Sequence, residues 1–129
     1  MFRVLVTGSR TWKDVDAISS EFDIVASHED EVTLVVGNAG GADSLAVLQA
    51  IARGWVIEEH VADWVTYPRS AGYARDKEMV LEGADYCLAF IHNKSKGATT
   101  CSKNARAEGI PTKVIEQSTP EWVLEQVQA

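Results

Sequence analysis

The chain has 129 residues, 46% of them hydrophobic and 24% charged, which suits one domain with a single core and predicts a single unit over 1–129. A formal net charge of −7 argues against a protein whose main task is to hold a nucleic-acid backbone. No apolar run approaches the roughly 20 residues of a membrane span, and the opening "MFRVLVTGS" enters a strand pattern without the layout of a cleavable signal, which predicts a cytoplasmic protein.

Taken in chain order, "FRVLVTG" (2–8) reads as a strand, followed by a helix over about 14–28. "VTLVVG" (32–37) is a second strand, with a helix from about 41 to 53. "WVIEEHV" (55–61) is a third strand and leads through an irregular segment, 62–72, to a helix over 73–82. The strand "DYCLAFI" (85–91), a helix ending near Glu108, the short strand "TKVIE" (112–116) and a helix from about Pro120 complete the pattern. Short apolar strands alternating with helices predict βαβ units, hence an α/β fold with a parallel sheet covered on both faces. Right-handed crossovers then bring the loops after Val6, Val36, His60 and Phe90 to the carboxyl edge of the sheet, where open α/β sheets bind ligands.

Four stretches at that edge carry the candidate chemistry. In "TGSRTW", Thr7 and Gly8 close the strand, Ser9 offers a hydroxyl, Arg10 reaches for an anion and Trp12 offers a flat face for a base. In "VVGNAGGADSLA", Gly37 and Asn38 precede Gly40, Gly41 and Ala42 at a helix start, where free N–H groups and the helix dipole favour an anion. The glycines there imply close approach of a phosphate or ribose, while Asp43 in the first turn suits a capping carboxylate. Neither GxGxxG spacing nor a Walker lysine is present. In "AGYARDKEM", Arg75 and Lys77 oppose the dipole of their own helix start, which an anion at the same edge would explain; Asp76 lies between them and Tyr73 just before. "NKSKGATT" opens the fourth helix with Gly97 among the hydroxyls of Ser95, Thr99 and Thr100, all potential phosphate donors. Lys13, Arg69, Lys94 and Lys96 add cations near these loops.

Elsewhere the signals are structural. Cys87 falls inside an apolar strand and reads as a buried reduced thiol, and neither it nor Cys101 belongs to a CxxC pair. His28, His60 and His92 are scattered, so no metal site and no cofactor is expected. Trp55 and Trp64 are assigned to packing. Trp122, Val123 and Val127 on the last helix either form an apolar patch or, as the favoured reading, pack on the sheet.

Together, "VLVTGSRTW", "GNAGGADSLA", "ADWVTYPRSAGYARDKEMV", "GADYCLAFIHNKSKGAT" and "AEGIPTKV" resemble the YspA-type, cpYpsA-related branch of the SLOG superfamily, which is related to the LOG and DprA group. The resemblance implies a Rossmann-like three-layer sandwich with five parallel strands in the order 3-2-1-4-5. It also implies a ligand site built from the GSR loop, the Gly-Ala-Asp loop, the Arg after Ala-Gly and the Ser-x-Gly loop. Relatives bind, sense or hydrolyse nucleotides and their derivatives, one branch binds single-stranded DNA, some form dimers through helices, and small stand-alone members resemble those of actinobacteria and their phages. Against that pattern, Gly41 stands where an arginine is usual at or near this point, Asp76 stands where asparagine is usual, and "SKGATTCSKN" lacks the catalytic Glu of the monophosphate hydrolases.

The leading expectation is a binding protein for a phosphorylated nucleoside or an ADP-ribose- or NAD-like ligand. Arg10, Arg75 and the glycine-opened helix starts would hold phosphate, Trp12 or Tyr73 would stack on the base, and Ser9 or Asp43 would bond ribose. The alternative is an N-glycosidase acting on nucleoside monophosphates with Asp43 or Asp76 as acid or base. A third is an adaptor for single-stranded DNA or protein, with the acidic charge counting against DNA. A homodimer through the last helix is expected only where Trp122, Val123 and Val127 form a patch instead of packing on the sheet.

Overall fold

The computed structural model describes residues 1–128. Among them the elements run β1 (Phe2–Gly8), α1 (Val15–His28), β2 (Val32–Gly37), α2 (Ala42–Ala52), β3 (Val56–His60), α3 (Ala71–Glu82), β4 (Tyr86–His92), α4 (Lys96–Ala107), β5 (Thr112–Gln117) and α5 (Glu121–Gln128). All neighbouring strands pair in parallel, in the order β3-β2-β1-β4-β5. The α/β Rossmann-like sandwich and its strand order are therefore as the sequence implied.

The three central strands are apolar on both faces because both faces are covered. On one face Val4, Val6, Leu34, Val36, Leu88 and Phe90 meet Ile18 and Phe22 of α1 and Ala46 and Ala50 of α2. On the other, Leu5, Val35 and Cys87 meet Met79 and Val80 of α3 and Cys101 and Ala105 of α4. Each fully buried large side chain contributes roughly 1.5–3 kcal/mol, so these two layers supply most of the stabilisation. Burial pushes the thiols of both Cys87 and Cys101 up to about 12, which leaves them protonated and unreactive. No helix among the described residues is long and apolar enough to cross a membrane.

Two expectations are corrected here. Trp12 is only 2% exposed: its ring packs on Phe90 with centroids 5.4 Å apart, and Nε1 donates to the Asp14 carbonyl at 2.8 Å. It is a core residue and offers no face to a base. The last helix does not pack into the sheet, for α5 buries none of its residues and Trp122 is 66% exposed. The neighbouring β5 alternates polar, exposed residues such as Lys113 and Glu116, and gives that helix little apolar surface to cover. Trp55 does pack, against Phe22 at 4.8 Å.

The chain builds β1, β2 and β3 toward one side, then crosses to lay β4 and β5 on the other. The order reverses between β1 and β4. Loops leaving those two strands diverge to opposite faces and leave a crevice at the carboxyl edge.

Candidate functional site

A cavity of about 360 Å³ occupies that crevice. Of the residues singled out in the sequence, Thr7, Gly8, Ser9, Arg10, Asp43, Tyr73, Arg75, Asp76, Ser95 and Gly97 line it. Trp12, Gly37, Asn38, Gly40, Gly41, Ala42 and Thr99 do not. Trp64, assigned to packing from the sequence, lines the cavity at 47% exposure, and Arg69 and Thr11 join it. The aromatic and basic composition of the irregular segment 62–72 was the available signal for Trp64 and Arg69.

Ser9 is the hub. Its N–H donates to the Phe90 carbonyl at 2.9 Å, and its carbonyl accepts from the N–H groups of Trp12 and Ala42, both at 3.1 Å. Its Oγ accepts from the His92 N–H at 2.7 Å and lies 2.5 Å from Ser95 Oγ. Because the Ser95 hydroxyl is turned to Ser9, it makes no cap bond to α4. Gly97 and Ala98, in the uncapped first turn, line the cavity. The Thr99 hydroxyl donates to the Ser95 carbonyl at 2.7 Å and steadies that turn. The start of α3 is also without a side-chain cap, with Gly72 and Tyr73 at the cavity. Orphan N–H groups and the positive dipole end therefore come from two helices.

The glycine-rich stretch has a different explanation from the one its composition suggested. Gly41 adopts φ +55° and ψ −120°, and a Cβ there would run into the carbonyl oxygens of Ser9 and Arg10. The group that approaches is the protein's own first loop. Ala42 N–H is taken by Ser9, Asp43 N–H bonds the Gly40 carbonyl at 3.2 Å, and the Asp43 carboxylate accepts from Ala39 N–H at 3.1 Å. Two of the first N–H groups of α2 are taken by these internal bonds, whereas Gly72, Tyr73, Gly97 and Ala98 in the first turns of α3 and α4 face the cavity. Gly37 serves Arg75: a Cβ at 37 would sit 2.8 Å from Cζ and Nε of the guanidinium. Arg75 Nη1 then donates to Asn38 Oδ1 at 3.1 Å, so Gly37 and Asn38 act on the cavity through Arg75.

Arg75 is 7% exposed and donates from Nε to Asp76 Oδ1 at 3.1 Å. These bonds fix the guanidinium with two of its five N–H donors, and the second Nη1 hydrogen and both on Nη2 are left for other partners at the cavity wall. Burial is the main force on Asp43, only 5% exposed, and pushes its carboxyl up to about 6 against the pull of the Ala39 N–H, Arg75 and Arg10; the nearby Asp76 pushes the same way as burial. Burial likewise raises Asp76, with Arg75 opposing. Arg10 and Arg69 form no ion pair among the described residues, and both are exposed at the cavity. The cavity thus has an interior in which the Arg75 guanidinium stands beside the Asp43 and Asp76 carboxyls, and a cationic rim.

Glu58, His60 and Glu82 bring three ligand-type atoms within 4.8 Å of one another, outside the cavity. Both Glu58 oxygens already accept from the Arg3 guanidinium at 3.0 Å, so the cluster is an ion-pair network.

The family model for YspA, cpYpsA-related SLOG proteins matches residues 2–67, from β1 through the segment that supplies Trp64. The chain belongs to the YspA, cpYpsA-related SLOG family. It is also similar to the Gene 61 protein of Mycobacterium phage D29, 42% identical over 122 residues that cover 86% of this chain and 94% of the phage protein. No solved structure matches it. The matched segment of this SLOG protein holds the Ser9 hub, Gly41 and Asp43, while Tyr73, Arg75, Asp76, Ser95 and Gly97 are contributed by the chain beyond it.

Proposed function

We propose that this SLOG protein binds a nucleotide-derived small molecule, a phosphorylated nucleoside or an ADP-ribose- or NAD-like compound, and acts as its sensor or sequestering module. One observation carries the reading: a cavity at the strand-order reversal joins an uncapped helix start at Gly97, two aromatic rings and two arginines without ion pairs among the described residues. In this reading the α4 amides with Arg10 and Arg69 hold phosphate. Trp64 and Tyr73, both about half exposed, take the base between or against their rings. Asp43 accepts ribose hydroxyls. Family membership supports a nucleotide-type ligand at this coarse level.

The test is a thermal-shift panel with AMP, ADP-ribose, NAD, cyclic ADP-ribose isomers and deoxynucleoside monophosphates, each mixture then assayed for released base. A ligand at about 100 times its Kd adds roughly 2.7 kcal/mol, several degrees for a domain of this size. A shift without released base supports a binding module, and no shift with any nucleotide refutes it. One observation favours a second reading: Asp43, with its carboxyl at about 6, lies beside Asp76 and could deliver a proton to a departing base at neutral pH. Base release that disappears in both Asp43→Asn and Asp76→Asn would replace the binding reading with an N-glycosidase.

A further inference from the structure

Away from the cavity floor, ion pairs link α3 to β3. His60 is the centre of that contact, with a side chain only 11% exposed. Its Nε2 lies 2.9 Å from Glu58 Oε2 and 3.4 Å from Glu82 Oε2, while Nδ1 lies 3.3 Å from Glu78 Oε1. A neutral imidazole has one N–H and one lone pair, so one of its nitrogens would face a carboxylate lone pair to lone pair. Carboxylates at both nitrogens therefore favour the imidazolium.

The groups around it come from every neighbouring element. β3 supplies Glu58, α3 supplies Glu78 and Glu82, and β1 supplies Arg3, which grips both Glu58 oxygens. The β2 residues in register with Glu58 and His60 are Val35 and Gly37, which carry no charge. Over Gly37 lies the Arg75 guanidinium, one helical turn before Glu78. Arg3 and a proton on His60 thus offset two of the three carboxylate charges, and Arg75 lies between the cluster and the cavity. Met79 and Val80 of α3 belong to the buried apolar cluster that contains Leu5, Val35 and Cys87 and includes no β3 residue. Val56, the β3 residue two before Glu58, is 52% exposed.

We propose that protonated His60 is a pH-operated clamp that holds α3, and with it the Tyr73–Arg75–Asp76 wall of the cavity, against β3. The consequence for ligand rests on the nucleotide-binding reading; the clamp itself does not. Burial alone would lower the His60 imidazole, but the Glu58 hydrogen bond and the charges of Glu82, Glu58 and Glu78 outweigh it and raise it. A raised imidazole contributes stability that is complete below the ordinary histidine value and is lost as pH rises through the raised one. Above that point the three carboxylates repel, and α3 separates from β3 while the sheet remains intact.

The experiment is hydrogen exchange of the intact chain at about pH 6 and about pH 9, on either side of the imidazole range. Rates are corrected for intrinsic exchange, and the imidazole resonances are titrated in parallel. Protection of α3 amides relative to β4 amides is expected to fall about tenfold at the higher pH, the order set by one lost charge-assisted hydrogen bond. Glu78→Gln combined with Glu82→Gln, which removes the repulsion, is expected to abolish that pH difference while preserving the fold. ADP-ribose affinity, measured at the same two pH values, should lose that factor at the higher pH in the native chain relative to His60→Gln, in which only the change brought by the Asp43 carboxyl remains. Parallel changes in α3 and β4, or a His60 resonance titrating at or below the ordinary histidine value, would overturn the clamp. Equal ADP-ribose affinity at both pH values with α3 loosened would overturn its link to the cavity. Absence of ADP-ribose binding at both would count against the nucleotide reading, and the ligand-free exchange data would still decide the clamp.

Discussion

Replacing Gly41 by alanine tests the account of the glycine-rich loop directly. The residue holds φ +55° and ψ −120°, the backbone of the first central position in a type II′ turn, and its missing Cβ leaves room for the carbonyl oxygens of Ser9 and Arg10. A non-glycine residue in such a conformation costs about 1–3 kcal/mol. The Ser9 carbonyl cannot move aside freely, because it accepts from both Trp12 and Ala42. Displacing it weakens two hydrogen bonds of about 1 kcal/mol each, giving a total of about 3–5 kcal/mol. For a domain of this size that is a drop in Tm of roughly 10–20 °C, read by calorimetry with and without ligand. Gly40→Ala is the matched control. It also has positive φ, +83°, but nothing lies within 4 Å of the place its Cβ would take, so its cost is about 1 kcal/mol, a few degrees. If both variants melt at the same temperature, the crowding by Ser9 and Arg10 is not what requires glycine. A Gly41→Ala variant that melted normally and lost only ligand binding would restore the phosphate explanation.

Two further outcomes separate the site from the scaffold. Gly97 lies in the first turn of α4 with nothing within 4 Å of a Cβ, so Gly97→Ala should hold or raise Tm, by up to about 1 kcal/mol of stability. The added methyl projects where a phosphate would approach the helix start, so binding of AMP or ADP-ribose by titration calorimetry should weaken at least several-fold; unchanged affinity would remove α4 from the site. The buried Asp43 carboxyl at about 6 makes the native state bind more protons than the unfolded chain between about pH 4 and pH 6. Its contribution is therefore complete below about pH 4 and is lost by about pH 6 and above. Asp43→Asn should raise stability by about 3 kcal/mol at neutral pH and give little gain near pH 4, measured by denaturant titration at each pH; an equal gain at both would contradict the raised carboxyl.

Much of this architecture was legible because it depends on local pattern. Continuous apolar runs at 32–37 and 86–91 can only be strands covered on both faces, and alternation with helices forces parallel crossovers at one edge. That reasoning placed Ser9, Arg10, Asp43, Arg75, Asp76 and Gly97 at the same edge, and they do line one cavity. It went astray wherever direction mattered. Trp12 follows a loop signature, but its side chain turns inward onto Phe90, a choice made by the volume left under α1 and α2. Trp64 sits in a segment without periodicity and is half exposed at the cavity, where no period could have put it.

The amino-acid sequence by itself determined the order of elements, the parallel sheet and the edge at which chemistry would gather, because periodicity and chain connectivity act over a few residues at a time. Only the tertiary structure decided which partner each side chain meets. Gly41 is crowded by the Ser9 and Arg10 carbonyls, Arg75 is held by Asn38 and Asp76 over Gly37, and His60 is enclosed by Glu58, Glu78 and Glu82. Those contacts join residues tens of positions apart. Their burial and mutual charge, which set protonation and free donor capacity, exist only once the sheet and helices have closed around them.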